Sequence, residues 1–155
     1  MKTTDTFVTI YIEGKGVVSK EKALMALETG SGRILAFGAE AELMAENSTE
    51  NVGMTAPWAD GKITDYKTTV KLFLCMLHKA GVKGSLFHKP SIALSVPEGL
   101  TDVEKKALED ALYQAGAGKV SVSEREIGQF VRSLSCSSDK SLKGFQTGIG
   151  ITKEE

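Results

Sequence analysis

Ser91-Ile92-Ala93-Leu94-Ser95-Val96-Pro97-Glu98-Gly99-Leu100-Thr101-Asp102-Val103-Glu104 holds the end of one element and the start of the next. Ser91 to Val96 is short, mostly apolar and bounded by Pro90 and Pro97, the pattern of a central strand covered on both faces. Thr101 and Glu104 form a capping box: the threonine hydroxyl accepts the N–H three residues on, and the glutamate reaches back to the cap. Val103, Ala107, Leu108, Ala111, Leu112 and Ala115 follow at helical spacing, and Gly116 to Gly118 stops the helix. Lys119 to Ser123 is a second strand, and Glu124 to Leu134 a second helix. Strand, helix, strand, helix in this order demands a right-handed crossover and a parallel strand pair, so the fold class is α/β.

Working outward, Thr6 to Ile12 alternates as a strand with contacts on both faces and ends at the turn Gly14-Lys15-Gly16. Ala23 to Leu27 and Arg33 to Phe37 flank Thr29-Gly30-Ser31-Gly32 as a hairpin, which predicts a three-stranded opening sheet with Thr6 to Ile12. Ala39 to Ala45 is rich in helix formers. Met54 to Trp58 reads as a strand, and Asp60-Gly61 as a turn leading to a helix that starts at Asp65 and closes at Gly81. That helix is apolar on more than one stripe through Val70, Leu72, Phe73, Leu74, Cys75, Met76, Leu77 and Ala80. Burial within the domain is the expected account of the excess, with a filament or dimer surface as the competing one. Ser133 to Gly144 is serine-rich, and Phe145 to Thr152 has the makings of one further strand.

The chain of 155 residues fits one domain. Its 19 basic and 20 acidic residues leave a net charge of -1, which gives no field to draw nucleic acid or an anionic membrane. No run of 18 apolar residues occurs, and MKTTDTF lacks the pattern of a secretory signal, so a cytoplasmic address without a transmembrane segment is expected. Cys75 and Cys136 have no CxxC spacing and read as free thiols, one buried and one exposed. His78 and His88 stand near no nucleophile motif, Asp60 fits a turn residue, and Asp65 a helix cap. Trp58, beside Pro57, is an interaction candidate, either an anchor for a partner or a plug in the core.

Three motifs occur in an order and spacing that resemble the MreB-type bacterial actin-like proteins: Gly32-Arg33-Ile34-Leu35-Ala36-Phe37-Gly38-Ala39-Glu40-Ala41, Ala59-Asp60-Gly61-Lys62-Ile63-Thr64-Asp65-Tyr66, and Val96 to Glu104. Gly14-Lys15-Gly16-Val17-Val18 and Ala115-Gly116-Ala117 extend the resemblance over roughly Thr6 to Leu134. It implies an actin-like (ribonuclease H-like) fold, a mixed sheet flanked by helices. Only the first lobe, subdomains IA and IB, is covered, over 1–134, with a small subdomain about 18–55 and a serine-rich tail 135–155.

The family binds ATP between two lobes, and its first phosphate turn has the pattern Asp-Leu-Gly-Thr. Lys2, Thr3, Thr4 and Asp5 stand at those positions, which replaces a metal-organising carboxylate with Lys2 and a close-approach glycine with Thr4. Where the family has Glu-Glu-Pro to position the attacking water, this chain has Glu124-Arg125-Glu126, leaving Glu124 as a vestigial candidate. Thr147-Gly148-Ile149-Gly150 echoes a second phosphate turn but reads more simply as an ordinary turn. The resemblance therefore implies a protein without catalytic residues, cofactor or metal. Its role would be cytoskeletal or connected with cell shape, exercised through contacts with itself, as a homodimer, or with an MreB-type filament protein. The alternatives are half of a split actin-like ATPase completed by another chain, or an adaptor or sensor of unrelated role.

The capping box makes one direct prediction. Thr101→Ala is expected to lower stability by about 1 kcal/mol, read as a shift in the denaturation midpoint; an unchanged midpoint would put the helix start elsewhere.

Overall fold

The computed structural model describes residues 5–47, 51–59, 62–82, 89–142 and 144–154. In chain order the elements are strands β1 Asp5–Ile12, β2 Gly16–Lys22, β3 Met25–Glu28 and β4 Ile34–Phe37, helix α1 Ala39–Glu46, strands β5 Val52–Thr55, β6 Trp58–Ala59 and β7 Lys62–Ile63, and helix α2 Tyr66–Lys79. Strand β8 Ser91–Ser95, helix α3 Asp102–Gln114, strand β9 Lys119–Ser123, helix α4 Ile127–Ser135 and strand β10 Thr147–Glu154 complete the order.

Five strands form the main sheet in the order β2-β1-β10-β8-β9. β8 and β9 are parallel, as the strand-helix-strand pattern requires, and β10 is parallel to β8 but antiparallel to β1, so the sheet is mixed. Alternation along the strands sends Val8, Ile10, Ile92, Leu94, Ile149 and Ile151 to one face, where Leu72, Phe73, Met76 and Leu77 of α2 and Leu108, Ala111 and Leu112 of α3 cover them. Tyr11 and Ala93 point to the other face and pack with Ile127, Phe130, Val131 and Leu134 of α4, joined by Phe145. Helices thus flank both faces of the sheet.

The capping box is present as read: Glu104 N–H donates to Thr101 Oγ1 at 3.1 Å and Thr101 N–H to Glu104 Oε2 at 3.1 Å. Asp65 caps α2, accepting from Thr68 N–H at 3.3 Å and from the Thr68 hydroxyl at 2.8 Å. Those bonds hold its carboxyl below the ordinary carboxylate range. The cap is therefore intact above that range and weakens as pH falls through the lowered value. Past α2, Gly81 takes φ 79°, and Val82 N–H returns to Leu77 C=O at 2.9 Å, closing the helix.

Four expectations need correction. First, there is no three-stranded opening sheet of 6–12, 23–27 and 33–37. Gly14 and Gly16, at φ 88° and 81°, turn the chain into β2, which pairs with β1. β3 and β4 instead join β5 in a separate sheet of order β4-β3-β5, with α1 packed on it. β2 was hidden because its sequence, Gly16 to Lys22, ends in the charged run Lys20-Glu21-Lys22 and leaves Val17 and Val18 exposed, so no apolar alternation marks it. Second, the strand read over Met54 to Trp58 is two strands, broken at Ala56-Pro57 where proline has no N–H to give a ladder. Third, α4 begins at Ile127 rather than Glu124, because Glu126 is its cap, accepting from Gly128 and Gln129 N–H at 2.9 and 3.0 Å.

The fourth correction is the largest. Residues 147–154, placed in the tail, form a central strand of the main sheet, with Ile149 and Ile151 fully buried. Their glycines are not a turn. Gly148 and Gly150 lie under α4, where a Cβ on Gly148 would stand 2.5 Å from both Ile127 Cδ1 and Val131 Cγ2. The missing side chains let the helix sit close on the sheet.

Gly148→Ala is accordingly expected to cost about 1–3 kcal/mol by overpacking, measured as a fall in the denaturant midpoint. Full wild-type stability in that variant would mean that α4 does not seat on β10.

Candidate functional site

Of the four phosphate-turn positions, Lys2, Thr3 and Thr4 lie outside the described residues, and Asp5 opens β1 with its backbone opposite Glu154 of β10. Beside this junction Lys20 of β2 gives its ammonium to Glu154 Oε1 at 2.7 Å and lies 5.2 Å over the Phe7 ring. Thr147-Gly148-Ile149-Gly150, the echo of a second phosphate turn, is extended strand at the far end of the same ladder.

Glu124 is exposed and its carboxylate is engaged by Lys105 of α3, 2.9 Å away. The hydrogen bond to Glu124 raises the Lys105 ammonium pKa above its usual range, with the charges of Glu124 and Asp102 adding to it. The residues after it are equally occupied. Ser95 Oγ donates to the Arg125 carbonyl at 2.5 Å, Arg125 N–H donates to Ser123 Oγ at 3.1 Å, and Glu126 caps α4. Glu124, Arg125 and Glu126 thus fasten the ends of β8 and β9 to the starts of α3 and α4.

Trp58 is a core residue. It is 2 % exposed, and its ring centroid stands 5.4 Å from that of Phe73 at 47°. The indole is therefore a plug behind α2 and not an anchor held out to a partner, and its Nε1 finds no acceptor among the described residues. Asp60 and His88 lie outside the described residues. His78 is exposed on α2, beside an open depression of about 580 Å³ that it lines with Phe37, Leu74, Cys75 and Lys79. Cys136 is exposed, while Cys75 is half-buried and its thiol pKa is pushed up by burial. α2 divides its apolar residues accordingly: Leu72, Phe73, Met76 and Leu77 are buried, but Leu74 is 46 % exposed. No group of three or more His, Cys, Asp or Glu side chains among the described residues is placed to hold a metal ion, and no helix among them is long and apolar enough to cross a membrane.

A feature the spacing argument missed lies on α3. Val103, read with the core stripe, is 79 % exposed. Five residues separate it from buried Leu108, about 500° of helix rotation, which turns it some 140° away from the core direction; a wheel drawn on Leu108, Ala111, Leu112 and Ala115 would have exposed it. Around Val103 the outer face carries Asp102, Lys106, Ala107 and Asp110, which line an open depression of about 550 Å³. Lys106 bridges to Asp110 at 3.4 Å and Glu109 at 3.8 Å.

A mixed five-stranded sheet with helices on both faces and a small three-stranded sheet with its own helix define an actin-like lobe. Crystalline MreB5 of Spiroplasma citri bound to ADP superposes with a TM-score of 0.65 and 28 % identity, over 79 % of this chain and 35 % of that one. The MreB/Mbl protein family profile matches residues 2–129, and the chain belongs to that family. It is 36 % identical over 117 residues to the cell shape-determining protein Mbl of Bacillus subtilis (strain 168), covering 76 % of this chain and 35 % of that protein. To the cell shape-determining protein MreB of Escherichia coli (strain K12) it is 29 % identical over 115 residues, covering 72 % and 33 %. The chain thus spans about a third of the length of these relatives.

If Trp58 is a plug, Trp58→Ala should cost about 3–5 kcal/mol of stability. A variant that keeps its denaturation midpoint but loses a binding partner would restore the anchor reading.

Proposed function

We propose that this chain is a non-catalytic member of the MreB/Mbl family that works in the cytoplasm through protein contacts, with a second copy of itself or with an MreB-type filament protein. The observation that carries the non-catalytic part is the first phosphate turn, where Lys2 and Thr4 stand at the positions of the family's aspartate and glycine. Just past it β1 and β10 meet side by side at Asp5 and Glu154. Glu154 is paired with Lys20 at this end, and Glu124 is held by Lys105. These residues do not fit a nucleotide and its metal. The competing reading, a half-site completed by another chain, is favoured by the ADP and AMPPNP held in the two Spiroplasma citri MreB5 structures.

The contact part of the proposal is supported by the outer face of α3. Val103 is the most exposed of the large apolar side chains described, and Lys106 sits between Asp102 and Asp110. A two-fold copy of this face would bury Val103 against its counterpart and set each lysine near the other's carboxylates. Apolar side chains ringed by complementary charge in this way are the usual anatomy of a small contact.

Two measurements test the reading. Calorimetry with magnesium and ATP is expected to give no binding heat, and micromolar affinity would overturn the non-catalytic proposal in favour of the split enzyme. Sedimentation equilibrium at roughly tens of micromolar should show a dimer, and Val103→Lys should weaken it by about tenfold while leaving the denaturation midpoint in place. A monomer for the native chain would remove self-contact and leave only a heterologous partner.

A further inference from the structure

The main sheet contains a strand that its neighbours do not hold locally. β1 and β8 form no ladder with each other; each pairs with β10, over eight residues for β1 and over Ile92–Ser95 for β8. Without β10 the sheet falls into two ribbons, β2-β1 and β8-β9, with an open edge on each. The slot between them is highly specified. Ile149 and Ile151 fill the α2 and α3 side, and Gly148 and Gly150 leave room for Ile127 and Val131 on the α4 side.

The segment that leads into this strand is held mainly by its own turns, with Leu142 resting on the α4 cluster and the charge of Lys119 felt at Asp139. After α4, Ser137 N–H donates to Leu134 C=O, Asp139 N–H to Ser137 Oγ, Ser141 N–H and Oγ to Asp139 Oδ1, and Leu142 N–H to Asp139 C=O. Every one of these bonds is local to the segment or to the end of α4. Cys136, Ser138, Asp139, Lys140 and Ser141 are exposed. Leu142 packs half-buried on the edge of the α4 cluster, and the first fully buried residue is Phe145, 1 % exposed against α4. None of the described residues in 136–144 belongs to a ladder, so the stretch opens at the cost of its own turn bonds and the Leu142 packing, and nine residues reach roughly 30 Å when extended.

We propose that β10 is exchangeable between copies: Phe145 to Glu154 of one chain enters the slot between β1 and β8 of a second, and the second returns its own. The occupant of the slot is thus the same segment in both arrangements. Every ladder bond, the Ile149 and Ile151 packing and the glycine seats under α4 are reproduced, and only the 136–144 segment changes course. The exchanged dimer differs from two monomers mainly by hinge conformation and concentration, the condition under which strand exchange is populated. This rests on the self-pairing part of the function proposed above and gives that pairing a mode distinct from the α3 face.

Cross-strand chemistry in the full-length chain tests it. Phe7 and Thr152 face each other across the β1–β10 ladder, at a spacing suited to a disulfide. Chains carrying only Phe7→Cys are mixed with chains carrying only Thr152→Cys, unfolded and refolded together at roughly tens of micromolar, then oxidised with oxidised glutathione. The expected product is a covalent dimer whose bridge, located by peptide mass mapping, joins the two introduced cysteines. The double variant in one chain, oxidised at high dilution where the monomer prevails, is the check on register and should close on itself. A dimer by sedimentation without that bridge overturns strand exchange and leaves face-to-face pairing standing; a monomer overturns both. As a second measurement that needs no cysteine, deleting Ser137, Ser138 and Asp139 shortens the hinge and should raise the dimer share by about tenfold. An unchanged share overturns the exchange.

Discussion

The ladder between β1 and β10 joins the first described strand to the last, and every layer of the lobe is arranged on it. It supplies eight residue pairs, more than any other strand pair in the structure. β8 and β9 are attached to β1 and β2 only through it. α2 and α3 find a continuous apolar floor because Ile149 and Ile151 lie level with Ile10 and Val8 on one side and with Leu94 on the other. α4 finds its seat because the alternate positions, 148 and 150, are glycine. The period of two along a strand lets eight residues do both tasks at once: bulk toward one face and absence of bulk toward the other.

How much of this was legible in the sequence depended on whether a signal was local. The α3 cap, the Asp65 cap, the Gly81 stop and the parallel β8–β9 pair all follow from residues within a few positions of each other, and all stand as read. β10 was legible as a strand but not as a central one. Four of its residues, Thr147 to Gly150, look like a turn in isolation, and what makes Gly148 necessary is the distant pair Ile127 and Val131. β2 was missed because an edge strand lined by Ser19, Lys20, Glu21 and Lys22 has the composition of a loop; charge on an edge is also what discourages pairing with a stranger. Trp58 was open between two roles because apolar character next to a proline suits both, and only the packing against Phe73 separates them.

The candidate site was legible as a set of substitutions and illegible as geometry. The resemblance brought Asp5 and Glu124 forward as positions in a phosphate site, but their actual surroundings come from Glu154, Lys20 and Lys105, which lie far from them in sequence. Glu124 ties the end of β9 to α3, and Glu126 starts α4, so both contribute to the lobe itself. Val103 shows the opposite error. An apolar residue in a helix was assigned to the core by spacing, whereas the rotation between it and Leu108 sends it to solvent.

Topology also fixes the order in which the lobe can close. β1 and β2 form a hairpin from neighbouring residues, and β8, α3 and β9 form a unit within 33 residues, so both ribbons can assemble early from local contacts. Neither can complete the sheet, because the strand that joins them is the farthest from β1 in the chain. Until it arrives, β1 and β8 each present an unpaired edge beside an apolar face, the arrangement most open to pairing with another chain. The charges on β2 protect only the outer edge of the sheet; the inner edges carry hydroxyls such as Thr6, Thr9 and Ser95 but, beyond Asp5, no charge. Val8, Ile10, Ile92 and Leu94 stand there because the finished core needs them. The requirement that makes the lobe stable, an apolar slot closed by a distant strand, therefore also makes that slot receptive to the same strand from a second copy.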